Sequence, residues 1–231
     1  MIILAFDSTA KAASVAVADG EKLLAEYTID NGLTQSELLL PMAENVLSSL
    51  KLTFDDVELF AAAVGPGSFT GVRIGVALVK GLAFGKNVPT AAVSTLEALA
   101  ENARGLDGLV VPVMDARRGQ VYTAIFENGE RLTPDSAMKI EELGEALGAY
   151  GEKCIYLIGD GYEVARRGLC AMGIDVCVTP ELLIRENAYS VARVAYRDFE
   201  SGKSVADTEL SPTYLRVPQA ERERLERLER S

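Results

Sequence analysis

The chain has 231 residues, 48% hydrophobic and 25% charged, a balance that supports one large or two modest packed domains and excludes a disordered chain. Its formal net charge of -11 at pH 7 runs against the basic patch or stripe that neutralises phosphates, so the chain alone is expected to bind nucleic acid poorly. There is no histidine, which excludes Ser-His-Asp and Cys-His catalysis and any His-ligated metal site.

Residues 1–6, MIILAF, read as an apolar strand ending at Asp7. No basic stretch precedes them and no apolar run reaches membrane-spanning length, so a cytoplasmic chain without membrane association is expected. Asp7, Ser8 and Thr9 are candidate nucleotide contacts, the carboxylate through a hydrated divalent ion and the hydroxyls as phosphate donors. The same short polar residues are equally common as plain turn formers. A second alternating strand leads to Asp19-Gly20, which predicts a type I′ hairpin and a third short strand. Thr34 and Glu37 fit a capping box opening a helix over 35–50, which is apolar almost all round its first turns and should kink at Pro41.

A strand at 59–65 then enters the turn Gly65-Pro66-Gly67, after which Ser68 or Thr70 caps a glycine-rich helix. This segment lacks the Lys-Ser/Thr ending of a P-loop and the spacing of a dinucleotide fingerprint. At about 100° per residue, Gly71, Gly75, Gly81 and Gly85 share an arc of roughly 120° with Ile74, Leu78 and Leu82. Each helical glycine costs about 1 kcal/mol relative to alanine, so the stripe implies close packing, either inside its own lobe or against a partner helix. A strand at 90–94 and a helix at 95–103 end the first half.

The plan then repeats. Asp115 ends an apolar strand 108 residues after Asp7, and the Asn128-Gly129 turn places its glycine 109 residues after Gly20. Helices at 140–150, 162–172 and 186–200 and strands at 154–161 and 175–180 follow. Asp115, Arg117 and Arg118 could grip an anion, or form a solvated loop. Gly159-Asp160-Gly161 marks a turn more often than a nucleotide site. Cys154, Cys170 and Cys177 form no C-x-x-C pair and are expected as buried reduced thiols.

A hairpin followed by alternating helix and strand, twice over, describes the actin, sugar kinase and Hsp70 ATPase (ASKHA) architecture, an α/β fold of two lobes with mixed sheets flanked by helices. The expected domains are 1–104 with the docking helices, 105–210, and a helical tail over 211–231 packing back on the first lobe. An ATP-dependent phosphotransferase of the sugar kinase type, working in the interlobe cleft, is the alternative function, although no carboxylate is marked as its general base.

The stretches LAFDSTAKAASVAV, SELLLP, GPGSFTGVRIGVALVKGLA, VSTLEAL, MDARRGQVY and PTYLR resemble the TsaB (YeaZ) family over nearly the whole chain. That family is a bacterial subunit of the machinery making N6-threonylcarbamoyladenosine in tRNA. The resemblance implies a non-catalytic scaffold that binds the catalytic subunit TsaD, helps recruit the ATPase TsaE, meets tRNA only within the complex and needs no cofactor or metal. Where the TsaD sequence carries a His pair for metal, this chain has Thr95 and Leu99. The implied partner-binding residues are Glu37, Leu38, Leu39, Pro41, Gly71, Arg73, Ile74, Gly75, Leu78 and Leu82, and a homodimer through the same helices would compete. On this basis Gly75→Leu is expected to weaken partner binding while leaving the chain folded.

Overall fold

A computed structural model describes residues 1–216; the Glu/Arg-rich segment expected to form the tail helix lies outside the described residues. The first half builds one sheet from β1 (Ile2–Asp7), β2 (Ala13–Asp19), β3 (Lys22–Ile29), β4 (Leu59–Gly65) and β5 (Thr90–Ser94), in the order β3-β2-β1-β4-β5. β1 to β3 run antiparallel, and β4 and β5 join in parallel. Period-two alternation sends Leu4, Phe6, Val15, Phe60 and Ala62 to one face and Ile3, Ala5, Ala16, Leu59 and Ala61 to the other. The first face is covered by α1 (Gln35–Ser49) and α2 (Phe69–Ala83).

Local chemistry sets the helix starts. Thr34 donates to the Glu37 carboxylate through its N–H at 3.1 Å and its hydroxyl at 2.7 Å, and α1 continues through Pro41 as one element. Ser68 Oγ accepts the Gly71 N–H at 3.3 Å to cap α2. In the first hairpin Asp19 still pairs with Lys22 and only Gly20 has positive φ (57°), so the loop is Gly20-Glu21 and not the expected type I′ pair. Asn128 and Gly129 both have positive φ (53° and 79°), as a type I′ turn requires.

The second sheet uses β6 (Leu109–Asp115), β7 (Gln120–Thr123), β8 (Phe126–Glu127), β9 (Glu130–Arg131), β10 (Ser136–Lys139) and β11 (Ile155–Ile158). β7 and β8 are one strand with a gap: Val113 faces Thr123 and Val110 faces Phe126 in a single register along β6. That register sets Pro112, which has no N–H to donate, opposite the gap. β11 lies parallel to β6, and α4 (Ile140–Gly148) and α5 (Tyr162–Ala171) cover one face.

The strand expected at 175–180 does not form. Cys177 N–H reaches the Ile155 carbonyl and Thr179 Oγ1 the Leu157 carbonyl, each at 2.9 Å, but Asp175 and Pro180 suit a ladder poorly. The expectation of buried reduced thiols is also corrected. Cys154 and Cys177 flank β11, with Cα atoms 5.8 Å apart, and are joined as a disulfide, while Cys170 is exposed on α5.

The two halves exchange their last helices. α3 (Thr95–Asn102) follows the first sheet but lays Leu96, Leu99 and Ala100 on the second, against Val110, Met114 and Ile158. After the short α6 (Glu181–Ile184), α7 (Ala188–Glu200) lays Val191, Val194 and Ala195 on the open face of the first sheet, although sequence order assigns it to 105–210. Buried Glu101 of α3 meets Arg193 at 2.9 Å and Arg197 at 2.7 Å on α7, so a paired charge joins the crossing helices. Residues after α7 stay with the first lobe: Val205 bridges to Thr90, and Leu210 is buried in its core. Thr213 packs back on that lobe, its N–H donating to the Val64 carbonyl, and residues 211–216 have no helical structure.

Candidate functional site

The α1–α2 layer is the first candidate. Its core side takes Leu39, Met42, Val46, Val72, Val76 and Val79, all buried. Leu39 is therefore a core residue and not a partner contact, which corrects the sequence reading. Gly71 and Gly75 are buried as well: a Cβ on Gly71 would run into the Ser8 carbonyl oxygen, and one on Gly75 would come within 2.5 Å of Ser8 Oγ. Ser8 Oγ itself donates to the Gly71 carbonyl at 2.8 Å. These two glycines serve close packing of α2 on the β1 turn, the intralobe alternative. Gly81 and Gly85, in the same arc, have no neighbour within 4 Å of such a Cβ.

The arc fails as one surface because it straddles the margin between core and solvent. On its outer side Ile74, Leu78 and Leu82 are half-buried, next to exposed Ala77 and Gly81. On α1, Glu37, Leu40 and Pro41 are exposed and Leu38 is half-buried. Arg73 is exposed, with its guanidinium 3.7 Å from the Phe69 ring centroid and its Nε donating to Tyr214 OH at 2.7 Å. Of the expected partner contacts, Glu37, Leu38, Pro41, Arg73, Ile74, Leu78 and Leu82 thus have solvent-facing surface.

The second candidate is the cleft between the lobes, about 630 Å³, with Thr9, Lys11 and Ser68 on one wall and Asp115, Arg117 and Asp160 on the other. Asp7 is sealed beneath it. Its Oδ1 accepts both the Thr9 N–H (2.9 Å) and the Thr9 hydroxyl (2.7 Å), and burial pushes its carboxyl up to about 6 despite those bonds. Ser8 and Thr9 are likewise buried, so the hydroxyls expected to meet phosphate are already committed to the protein. These residues fit a phosphate cradle poorly. Asp115 Oδ1 accepts the Arg117 N–H at 2.7 Å, and Asp160 Oδ1 the Asp115 N–H at 2.9 Å, so that loop is organised by its own carboxylates. Gly159 is held beside the Val113 carbonyl, which a Cβ would strike, so this glycine serves sheet packing.

A profile of the family described as "TsaD: tRNA N6-adenosine threonylcarbamoyltransferase" matches residues 33–194, which include α1, α2 and the Asp115–Asp160 wall of the cleft. Over 226 residues the chain is 33% identical to the tRNA threonylcarbamoyladenosine biosynthesis protein TsaB of Bacillus subtilis (strain 168), with 96% of each chain covered. The chain belongs to the TsaB family. Among solved structures, YeaZ from Pseudomonas aeruginosa matches with 25% identity and a TM-score of 0.77, over 93% of this chain and 99% of that one. The activator of the 2-hydroxyisocaproyl-CoA dehydratase from Clostridium difficile with bound ADPNP shares the fold, with 10% identity and a TM-score of 0.52 over 88% and 97% of the chains. The duplicated ASKHA architecture expected of a TsaB chain is the one observed.

Two groups escaped the sequence reading of this TsaB-family chain. Glu186 is buried behind the cleft, accepting the Asp160 N–H at 3.1 Å, and burial together with the charges of Asp7 and Asp160 pushes it up to about 8. In sequence it sits in the polar stretch IRENAYS, which has no periodicity to mark a buried acid. Tyr214 and Arg216 reach the cleft from PTYLR, whose only signal was its family resemblance.

Proposed function

We propose that this chain is a non-catalytic scaffold subunit in the formation of N6-threonylcarbamoyladenosine in tRNA. It docks on TsaD through the outer face of α1 and α2, helps recruit TsaE, meets tRNA only in the complex and uses no cofactor. The observation that carries this is the α1–α2 face itself, where Leu40 is 39% exposed and Ile74, Leu78 and Leu82 are half-buried. Apolar side chains grouped on two adjacent helices suit a helix-on-helix interface more than a solvated surface. The acidic charge agrees with leaving tRNA to the partner.

Sedimentation velocity of the chain with TsaD from the same organism is the direct test, run at several concentrations so that a homodimer through the same face is seen to give way to the heterodimer. No complex at micromolar concentration would overturn the scaffold role. Leu78→Arg is expected to weaken association at least tenfold, because a charge replaces an apolar contact at the centre of the face. Its melting temperature should stay close to that of the parent, since the long stem can lie along the helix with the charge in water. Unchanged affinity in the folded variant would place docking elsewhere.

A phosphotransferase acting in the cleft is the alternative, and the size of the cleft favours it. Against it, Asp7 is 2% exposed and tied to Thr9, so the first strand-end carboxylate has no open approach to an acceptor hydroxyl. ATP turnover by the isolated chain, measured with magnesium and assorted sugars, is expected to be absent.

A further inference from the structure

The segment after Leu210 makes a third connection between the lobes, additional to the two places where the chain itself crosses. Its start is fastened to the first lobe. Leu210 is buried there, and its carbonyl accepts from Lys80 Nζ at 3.0 Å. The Thr213 N–H donates to the Val64 carbonyl at 2.7 Å. Gly65, with φ of 115°, lies so close beneath that a Cβ would come within 2.5 Å of the Thr213 carbonyl oxygen. Tyr214 then stacks on Phe69, with ring centroids 5.1 Å apart, and accepts the hydrogen bond from Arg73.

The far end reaches the other lobe. Arg216 Nη1 donates to the Ala116 carbonyl at 3.0 Å, a contact spanning 100 residues of sequence. Ala116 is held in place by its own loop, its N–H donating to the Gln120 carbonyl at 3.0 Å. Between these ends Thr213, Tyr214, Leu215 and Arg216 line the cleft.

We propose that residues 211–216 are a latch across the mouth of the interlobe cleft, hinged on the first lobe and fastened to the second through Arg216. The asymmetry of the attachments decides which end opens. On the first lobe a buried leucine, backbone and lysine hydrogen bonds, and an aromatic stack act together. On the second, the hydrogen bond among the described residues is the one from Arg216. Release of that charged donor frees the far end of the strap from the second lobe while its start stays seated, so the cleft mouth widens and small molecules gain entry. The latch requires neither docking to TsaD nor any chemistry in the cleft, and stands if the scaffold role fails.

The test uses the full chain with Cys170→Ser, Cys154 and Cys177 being joined, and with Ala10→Cys as a reporter. Ala10 lines the cleft and is 8% exposed, and the substitution adds one sulfur. Native maleimide labelling is followed by intact mass, with and without Arg216→Ala, and the exchange of the Thr213 amide is followed in parallel. Labelling is expected to quicken about tenfold in Arg216→Ala, the effect of one charge-assisted hydrogen bond. The melting temperature and the protection of the Thr213 amide should be unchanged. Should Arg216→Ala melt early, Arg216→Lys, which keeps the charge but loses the planar fork, should give a smaller acceleration. An unchanged rate in the folded variant would overturn the latch, as would labelling of the parent at the rate of an unfolded peptide. Loss of Thr213 protection alongside faster labelling would overturn the hinge on the first lobe.

Discussion

Gly71→Ala is expected to lower the melting temperature by roughly 10 °C, an effect of about 3 kcal/mol in a chain of this size. The new methyl group meets the Ser8 carbonyl, which is backbone at the end of β1 and cannot rotate aside. Either α2 lifts from the sheet or the β1 turn moves, and both loosen the buried packing of Val72 and Val76 against the first sheet. Helix propensity works the other way by about 1 kcal/mol and is outweighed. Gly81→Ala is the internal control, since nothing lies within 4 Å of a Cβ there. The propensity gain should then appear alone, raising the melting temperature by about 2 °C. Thermal melts of both variants by circular dichroism settle the matter; equal melting temperatures would mean that Gly71 is not packed as described. Gly75→Leu belongs with Gly71→Ala, because its side chain would enter the space of Ser8 Oγ, and it should destabilise the monomer instead of acting only on partner binding.

The second large effect concerns pH. Glu186 has its pKa raised from 4.5 to about 8 and Asp7 from 3.8 to about 6, in both cases first by burial. Between its ordinary value and its raised one, each carboxyl keeps its proton in the folded chain and has released it in the unfolded chain. Folding therefore takes up protons in that window, and stability falls as pH rises through it. For Asp7 the loss is complete above about pH 6, and for Glu186 above about pH 8. The exposed Asp19, Glu37 and Asp56 are shifted the other way, chiefly by hydrogen bonds from the N-terminus, Thr34 and Thr53, so stability also declines as pH falls below the ordinary carboxylate range.

The stability maximum should accordingly lie near pH 4 to 5, more acidic than the usual pH 5 to 8. Glu186→Gln keeps an acceptor for the Asp160 N–H without the charge. It is expected to stabilise the chain by roughly 4 kcal/mol at pH 8 and by little at pH 4.5, flattening the profile. Denaturant titrations of parent and variant at several pH values check this. A parent whose stability is constant from pH 5 to 8 would show that Glu186 ionises freely.

Nearly all the element order was legible in the amino-acid chain, because it rests on interactions within a few residues. The alternation of apolar side chains marks β1, β2, β4 and β6, and the Thr34-Glu37 and Ser68-Gly71 pairs mark where α1 and α2 begin. Constant spacing between Asp7 and Asp115 and between the turn glycines exposed the duplication. The strand expected at 175–180 does not form for want of a ladder, which apolar content alone does not reveal, and β10 and α6 had no mark in the sequence reading.

What only the tertiary structure decided are contacts between residues far apart in sequence. Ser8 and Gly71, separated by 63 residues, determine which glycines of α2 face inward. Glu101 and Arg197, separated by 96, join the two exchanged helices, and Ala116 and Arg216, separated by 100, close the cleft. Helical periodicity gives the angle of a residue about its axis, but not the direction from which the sheet will approach. A 120° arc centred on the margin of that contact therefore reads as one surface in sequence and divides into a packed side and an open side once the helix is seated.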